Sequence, residues 1–290
     1  MLRKAAGLAA DQVFLDLEDA VAPLEKSTAR DKVVQALVGQ TWVASTRAVR
    51  INAVGTPWCL DDLLHVVAGT VGALDCIVLP KVESADQVTF VHHVLDHLEH
   101  AHAIHRRIGL ELQIESPKGL VAVEHIASAS DRAEALIFGP GDYAAAAGIP
   151  QLTVGTIEPD YPGDQWHYVL SRIATAAKAG GLQAIDGPYA AIRDLEGYRN
   201  VALRSRLLGF DGKWALHPDQ IGICNEIYAP SQAEYERAVR ILEAYEVATE
   251  ESRVGAVMFE GEMIDEASRK MAEQLRASGA AAGLQAKVES

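Results

Sequence analysis

Cysteine is scarce: the 290-residue chain has three, Cys59, Cys76 and Cys224, widely spaced and odd in number. That argues against a disulfide framework and fits a reducing, cytoplasmic setting. No run of about 18 apolar residues occurs, so no transmembrane helix is expected. The opening Met1-Leu2-Arg3-Lys4-Ala5-Ala6-Gly7 meets Asp11 and Asp16 too soon to be a signal peptide. Basic residues are outnumbered, 26 against 40 acidic, for a formal net charge of -14. Such a balance repels nucleic acid and anionic membranes, and neither is an expected partner. It does not forbid an anionic small molecule, because a metal ion or a local arginine reverses the sign in one pocket. Also lacking are a glycine-rich dinucleotide fingerprint, a serine nucleophile elbow, a Cys–His pairing and a phosphate loop. What is present is ordinary for a globular protein, 49% hydrophobic and 23% charged, and long enough for one large core.

Short apolar, β-rich runs alternate with helical patterns. The runs are Val13–Asp19, Ala48–Asn52, Cys76–Val82, Leu110–Ser116, Ala135–Asp142, Leu182–Tyr189 and Lys213–His217. Alternation of this kind gives parallel strands with right-handed crossovers. Near-continuous apolar runs suit a sheet covered on both faces. Polar residues gather at the C-terminal ends of the runs: Asp16 to Asp19, Arg50 to Asn52, Lys81, Gln113 to Glu115, Asp142, Asp186 and His217. In a (β/α)8 barrel those ends meet at one mouth, where active sites are built. A doubly wound open sheet, the alternative, would bring only a few of them together. A closed barrel takes eight strands and the chain offers seven. The expectation is therefore a barrel whose first strand is missing, or a start that lies upstream.

After Pro230 the alternation stops. Residues 1–230 read as the barrel domain and 231–290 as a C-terminal helical extension. The extension opens with a helical pattern over Ser231–Glu250, with Ser231 and Glu234 in capping-box spacing. A loop carrying Gly255 and Gly261 follows, then a helix predicted over Met263–Ala277. Gln151–Gly163, with two prolines and two glycines, reads as a long loop near the mouth.

Glu115 and Asp142 end consecutive runs and so fall on neighbouring strands. Two carboxylates with room for water suit Mg²⁺, which keeps several waters. Helix capping or pairing with a lysine explains them equally well. Gly141 beside Asp142 lets a ligand come close. Asp16, Glu18 and Asp19 are dense enough to need a cation nearby; Glu18 and Asp19 suit hydrogen bonds from metal-bound water, or pairing with Lys26 or Arg30. Arg50 ends an apolar strand. Its planar fork matches the carboxylate of a 2-oxo acid, or one of those acids. Lys81 is a conceivable Schiff-base lysine, but acids around it favour a protonated, paired ammonium. His92, His93, His97, His100, His102 and His105 belong to one amphipathic helix and its end, and read as a solvated face. His217 reads as structural. Asp265 stands at a helix start with Ser268 and Arg269 behind it, which residue chemistry reads first as an N-cap.

Eight ordered segments carry a resemblance: LDLEDAVAPLEKSTAR (15–30), VRIN (49–52), VLPKVESA (78–85), QIESPKGL (113–120), FGPGD (138–142), AIDGPY (184–189), GFDGKWALHPDQI (209–221) and GEMIDEASRKMA (261–272). The chain resembles the citrate lyase β-subunit-like branch of the HpcH/HpaI aldolase superfamily, and within it the malyl-CoA and β-methylmalyl-CoA lyases. The resemblance covers nearly the whole chain. It implies a (β/α)8 barrel working as a homotrimer or hexamer, with Mg²⁺ (or Mn²⁺) and a CoA thioester as substrate. By position it implies Glu115 and Asp142 as metal ligands, with Glu18 and Asp19 outside them. It implies Arg50 on the 2-oxo acid carboxylate, with Lys26, Arg30 and Gly141 in the substrate-binding set. Asp265 becomes the acid/base residue, on a C-terminal lid that completes a neighbour's site. The implied reaction is reversible cleavage of a 3-hydroxyacyl-CoA (malyl-, β-methylmalyl- or citramalyl-CoA) to acetyl- or propionyl-CoA and glyoxylate or pyruvate. A thioesterase or malate-synthase-like enzyme, and a citrate lyase β subunit acting with an acyl-carrier partner, stand as alternatives.

Overall fold

All seven apolar runs form strands in the computed structural model, which describes residues 2–250 and 253–286. They are β1 (Gln12–Asp16), β2 (Thr46–Arg50), β3 (Cys76–Leu79), β4 (Gly109–Ile114), β5 (Ala133–Phe138), β6 (Gln183–Asp186) and β7 (Gly212–Lys213). They build one parallel sheet in sequence order, with helix in every connection. Sequential order excludes the doubly wound sheet, whose order reverses part-way. The sequence reading carried the strands too far. β1 stops at Asp16 rather than Asp19, and β5 at Phe138 rather than Asp142. At β5 the reason is local: Pro140 opens the helix Pro140–Ala147, at a position where its missing N–H leaves nothing unsatisfied.

The two faces of the sheet differ. One carries Leu15, Val49, Ile77, Leu79, Leu110, Leu112, Ile114, Leu136 and Phe138, each buried. Truncating such a leucine typically costs about 2–5 kcal/mol. On the other face, parallel register sets Gln12, Phe14 and Asp16 beside Thr46, Ala48 and Arg50, and Arg50 beside Val78. Val78 lies beside Glu111, and Gln113 beside Ile137. This face is concave. Gln12 Nε2 of β1 donates to Glu111 Oε2 of β4 at 2.9 Å, across two intervening strands. Phe14 of β1 meets Trp214, next after β7, with ring centroids 4.3 Å apart. Ala48, Cys76, Val78, Ile137 and Trp214 form the core inside the curve. The sheet is thus curled as a barrel is, while no pairing joins β7 to β1 among the described residues.

The chain divides into two compact units, Met1–Cys224 and Asn225–Ser290. In the second, the helix Gln232–Glu250 begins with the expected reciprocal cap: Ser231 N donates to Glu234 Oε2 at 2.7 Å and Glu234 N to Ser231 Oγ at 3.2 Å. The segment read as a glycine loop is a hairpin, β8 (Val257–Phe259) and β9 (Glu262–Ile264). Glu260 and Gly261 turn it with φ of 48° and 85°, the two positive angles of a tight hairpin turn. Met263 therefore belongs to a strand, and the last helix is Glu266–Ala281. No helix among the described residues is long and apolar enough to cross a membrane.

Candidate active site

The concave face ends, at the C-terminal side of β1 to β5, in a cluster of acids around two cations. Asp16 and Arg50 are register partners. Arg50 Nε and Nη2 donate to the two Asp16 oxygens at 2.8 and 2.6 Å, and Nη1 lies 3.2 Å from Glu18 Oε2. The guanidinium also sits over the Phe14 and Trp214 rings, at 5.9 and 5.5 Å. Burial pushes the Asp16 carboxyl up, but Arg50 and the N–H groups of Glu18 and Ala20 outweigh it and leave it below the usual range. Glu18 is left above its usual value: burial dominates, and Lys81 and Arg50 only partly offset it. Its Oε2 is buried without a hydrogen-bond partner; the Arg50 contact is one of charge alone.

Lys81 joins the strands. Its backbone is held at φ 51°, and its N–H donates to Glu115 Oε2 at 2.8 Å. Its ammonium donates to Glu18 Oε1 at 2.6 Å and to Asp19 at 3.1 Å, and lies 3.6 Å from Asp142. These acids outweigh its burial and hold it protonated. The sequence reading gives a paired ammonium here but not its bridging role, which depends on how the curved sheet brings β3 toward β1.

Glu115 is the most perturbed acid of the group. It is 3% exposed, and burial, then Asp142 and Glu18, push its carboxyl up to about 8. Gln113 Nε2 donates to its Oε1 at 2.9 Å, while Gln113 Oε1 is buried and unpartnered. Gly139 makes the room: a Cβ there would stand 2.4 Å from both Cγ and Oε1 of Glu115. Asp142 does not end a strand. It lies in the first turn of Pro140–Ala147, half exposed, where the helix dipole favours a carboxylate. Gly141 packs against Val154, leaving 3.2 Å for an added Cβ.

The structure brings Arg50, Glu18, Asp19, Glu115 and Asp142 together through Lys81. Lys26 and Arg30 spend their charges beside the cluster. Lys26 Nζ donates to the Leu17 and Glu18 carbonyls at 2.8 and 2.7 Å, pinning the turn after β1. Arg30 Nε donates to Asp62 at 2.6 Å, and Asp62 also accepts from Asn52 Nδ2 at 2.6 Å. So neither pairs with the Glu18 or Asp19 carboxylates. His217 lies half-buried on a bend after β7. Asp265, in the second unit, caps the last helix, accepting from Ala267 N at 2.9 Å and Ser268 N at 3.2 Å.

A model of the HpcH/HpaI aldolase/citrate lyase family matches residues 1–218. The chain belongs to that family. Among relatives of this family member is the L-malyl-CoA/beta-methylmalyl-CoA lyase of Rhodobacter capsulatus, 37% identical, with 94% of this chain and 88% of that protein covered. The citrate lyase subunit beta of Escherichia coli K12 is 35% identical, with 88% and 81% covered. A crystal structure of the protein CitE from Mycobacterium tuberculosis, in complex with magnesium, acetoacetate and coenzyme A, is 33% identical. It superposes with a TM-score of 0.73, covering 96% of this chain and 92% of that one.

Proposed function

We propose that this family member is a Mg²⁺-dependent carbon–carbon lyase acting on CoA thioesters. It cleaves a 3-hydroxyacyl-CoA such as malyl-, β-methylmalyl- or citramalyl-CoA to acetyl- or propionyl-CoA and glyoxylate or pyruvate, reversibly. The lyase relatives and the magnesium and coenzyme A bound by the CitE neighbour support the reading. Within this chain one observation carries it: a carboxyl, Glu115, raised by its burial and then by two neighbouring acids, beside an unpartnered Gln113 oxygen. A site of that composition fits a hard divalent cation, which relieves the repulsion among Glu115, Asp142 and Glu18.

Glu115 and Asp142 are the ligands in this reading; Mn²⁺ would use the same oxygens. The ion supplies Lewis acidity at the carbonyl of the 2-oxo acid. Arg50, backed by the Phe14 and Trp214 rings, offers its fork to the acid's carboxylate, which takes the place Asp16 now holds. Glu18 and Asp19 orient water, with Lys81 keeping their charge in balance. In the cleaving direction the hydroxyl gives its proton to a base as it becomes the carbonyl of the 2-oxo acid, the C–C pair passes to the acyl-CoA carbon, and an acid returns a proton to that carbon. We assign that acid to Asp265, reaching a neighbouring subunit's mouth in a trimer or hexamer. Residues 231–290 would then form the lid of a 1–230 barrel domain that lacks a strand between β7 and β1. Lys26, Arg30 and Gly141 would flank the CoA path. Free cysteines throughout fit a cytoplasmic enzyme.

The test is an assay with malyl-CoA that follows glyoxylate and free thiol separately. Glyoxylate without net thiol supports the lyase; thiol released in step with substrate loss supports the thioesterase; neither product, with a carrier protein co-purifying, supports the citrate-lyase-type subunit. Glu115→Ala, stripped with EDTA and resupplied with Mg²⁺, is expected to be folded and inactive. Undiminished turnover would end the metal assignment.

A further inference from the structure

We infer that the helix Ala85–Ala101 carries a second metal site, for a late first-row divalent ion such as Zn²⁺ or Co²⁺, built from His92, His93 and Asp96. The sequence reads this helix as a solvated histidine-rich face, with His93 and His97 as its obvious pair. The structure selects a different set. One ligand atom from each of His92, His93 and Asp96 falls within 4.8 Å of the others. His92 Nε2 and Asp96 Oδ2 lie 3.1 Å apart. Two atoms that each bind a tetrahedral zinc at about 2.0–2.1 Å stand roughly 3.4 Å apart, so this separation needs little adjustment. The two imidazoles are edge-on, with centroids 5.2 Å apart, and can turn their nitrogens to one point.

The groups behind the three residues are those a metal site needs. His92 Nδ1 is 2.7 Å from Ser130 Oγ, a partner that fixes the ring and keeps Nε2 turned toward Asp96. Asp131 lies farther from the same nitrogen, at 3.7 Å. Asp96 Oδ1 accepts from Arg132, a side chain 1% exposed and held also by Glu99 at 2.5 Å. That contact holds Asp96 below the usual carboxylate range and turns its other oxygen toward His92. Imidazole donors select Zn²⁺, Co²⁺ or Ni²⁺ over Mg²⁺, which prefers oxygen and keeps its water. The site is therefore chemically distinct from the acids at the barrel mouth. An ion here would tie the helix to the Ser130–Arg132 turn that leads into β5.

The experiment titrates EDTA-stripped protein with Co²⁺ in the presence of millimolar Mg²⁺, reading visible absorption. One equivalent is expected to give the intense bands of four- or five-coordinate cobalt, and Zn²⁺ to bleach them. His93→Ala and Asp96→Asn, both at exposed positions, are expected to weaken binding about tenfold or more, and Ser130→Ala to weaken it less. His97→Ala and Glu115→Gln are expected to bind as the unaltered protein does. No bands, bands that survive both His93→Ala and Asp96→Asn, loss of bands in His97→Ala, or one-for-one displacement by Mg²⁺ would each overturn the inference.

Discussion

Replacing Glu111 by glutamine should make the barrel more stable, and only above pH 5. Glu111 lies inside the curve of the sheet, 6% exposed, away from the strand ends that hold the acid cluster. Burial pushes its carboxyl up to about 7 from an ordinary 4.5; the hydrogen bond from Gln12 opposes the shift and Glu134 adds to it. Between those values the folded protein keeps a proton that the unfolded chain has lost. Its contribution to stability is thus complete below about pH 4.5 and is lost as the pH rises through 7. The loss is the 2.5-unit difference times 1.36 kcal/mol per unit, about 3 kcal/mol. Glutamine keeps the shape and the Gln12 contact but cannot ionise. Urea denaturation of both proteins at pH 5, 6, 7 and 8, at fixed protein and saturating Mg²⁺, should show their difference growing by about 3 kcal/mol and levelling near pH 8. Subtraction removes every other titrating group. A difference that stays flat with pH, or a variant less stable at pH 8, would refute the reasoning.

Gly139→Ala should cut Mg²⁺-dependent turnover while leaving a folded protein, because the new methyl would stand 2.4 Å from the Glu115 side chain; a strain of about 1–3 kcal/mol is expected in denaturation, and unchanged turnover would show that Glu115 does not matter where it sits. Trp214→Ala should cost about 3–5 kcal/mol of stability and raise KM for the 2-oxo acid in the condensation direction, since Trp214 both fills the core and backs Arg50. Trp214→Phe, which keeps a ring, should largely restore KM. Asp265→Ala should lose about 0.5–2 kcal/mol with the cap, whereas Asp265→Asn, itself a good cap, should hold stability and lose turnover. Mixing Asp265→Asn with Arg50→Ala subunits should recover activity if the site is shared; no recovery, with mixed oligomers confirmed by mass, would place Asp265 outside its neighbour's chemistry.

The strands were legible from their buried apolar residues, which in β3 occupy both faces. Their ends were not. A polar residue after an apolar run looks like the end of a strand, whereas Glu18, Lys81, Glu115 and Asp142 each lie past theirs. Pro140 after Gly139 carried the correcting signal, since proline is favoured at the first turn of a helix. In the second unit Met263 and Ile264 were read as the first helical turn, although Glu260-Gly261 between the short runs Val257–Phe259 and Met263–Ile264 is a hairpin pattern. A helix start and a strand of three residues look alike until the turn chemistry is weighed.

The acids of the mouth could be named from the sequence, but their pairing could not. Asp16, Glu18, Lys26, Arg30, Arg50 and Lys81 offer many ion pairs, and spacing does not rank them. Curvature does: β1 and β2 in register give Arg50 to Asp16, and the bend that brings β3 toward β1 gives Lys81 to Glu18 and Asp19. What remains is Glu115, which no cation of the protein contacts through a side-chain hydrogen bond among the described residues; it has only Gln113 and the Lys81 N–H. A buried carboxyl so supplied, next to Asp142 and Glu18, is destabilising in its charged form on its own. Its burial makes sense where a further positive charge arrives with the ligand, and that is why the metal assignment rests on Glu115 rather than on the half-exposed Asp142.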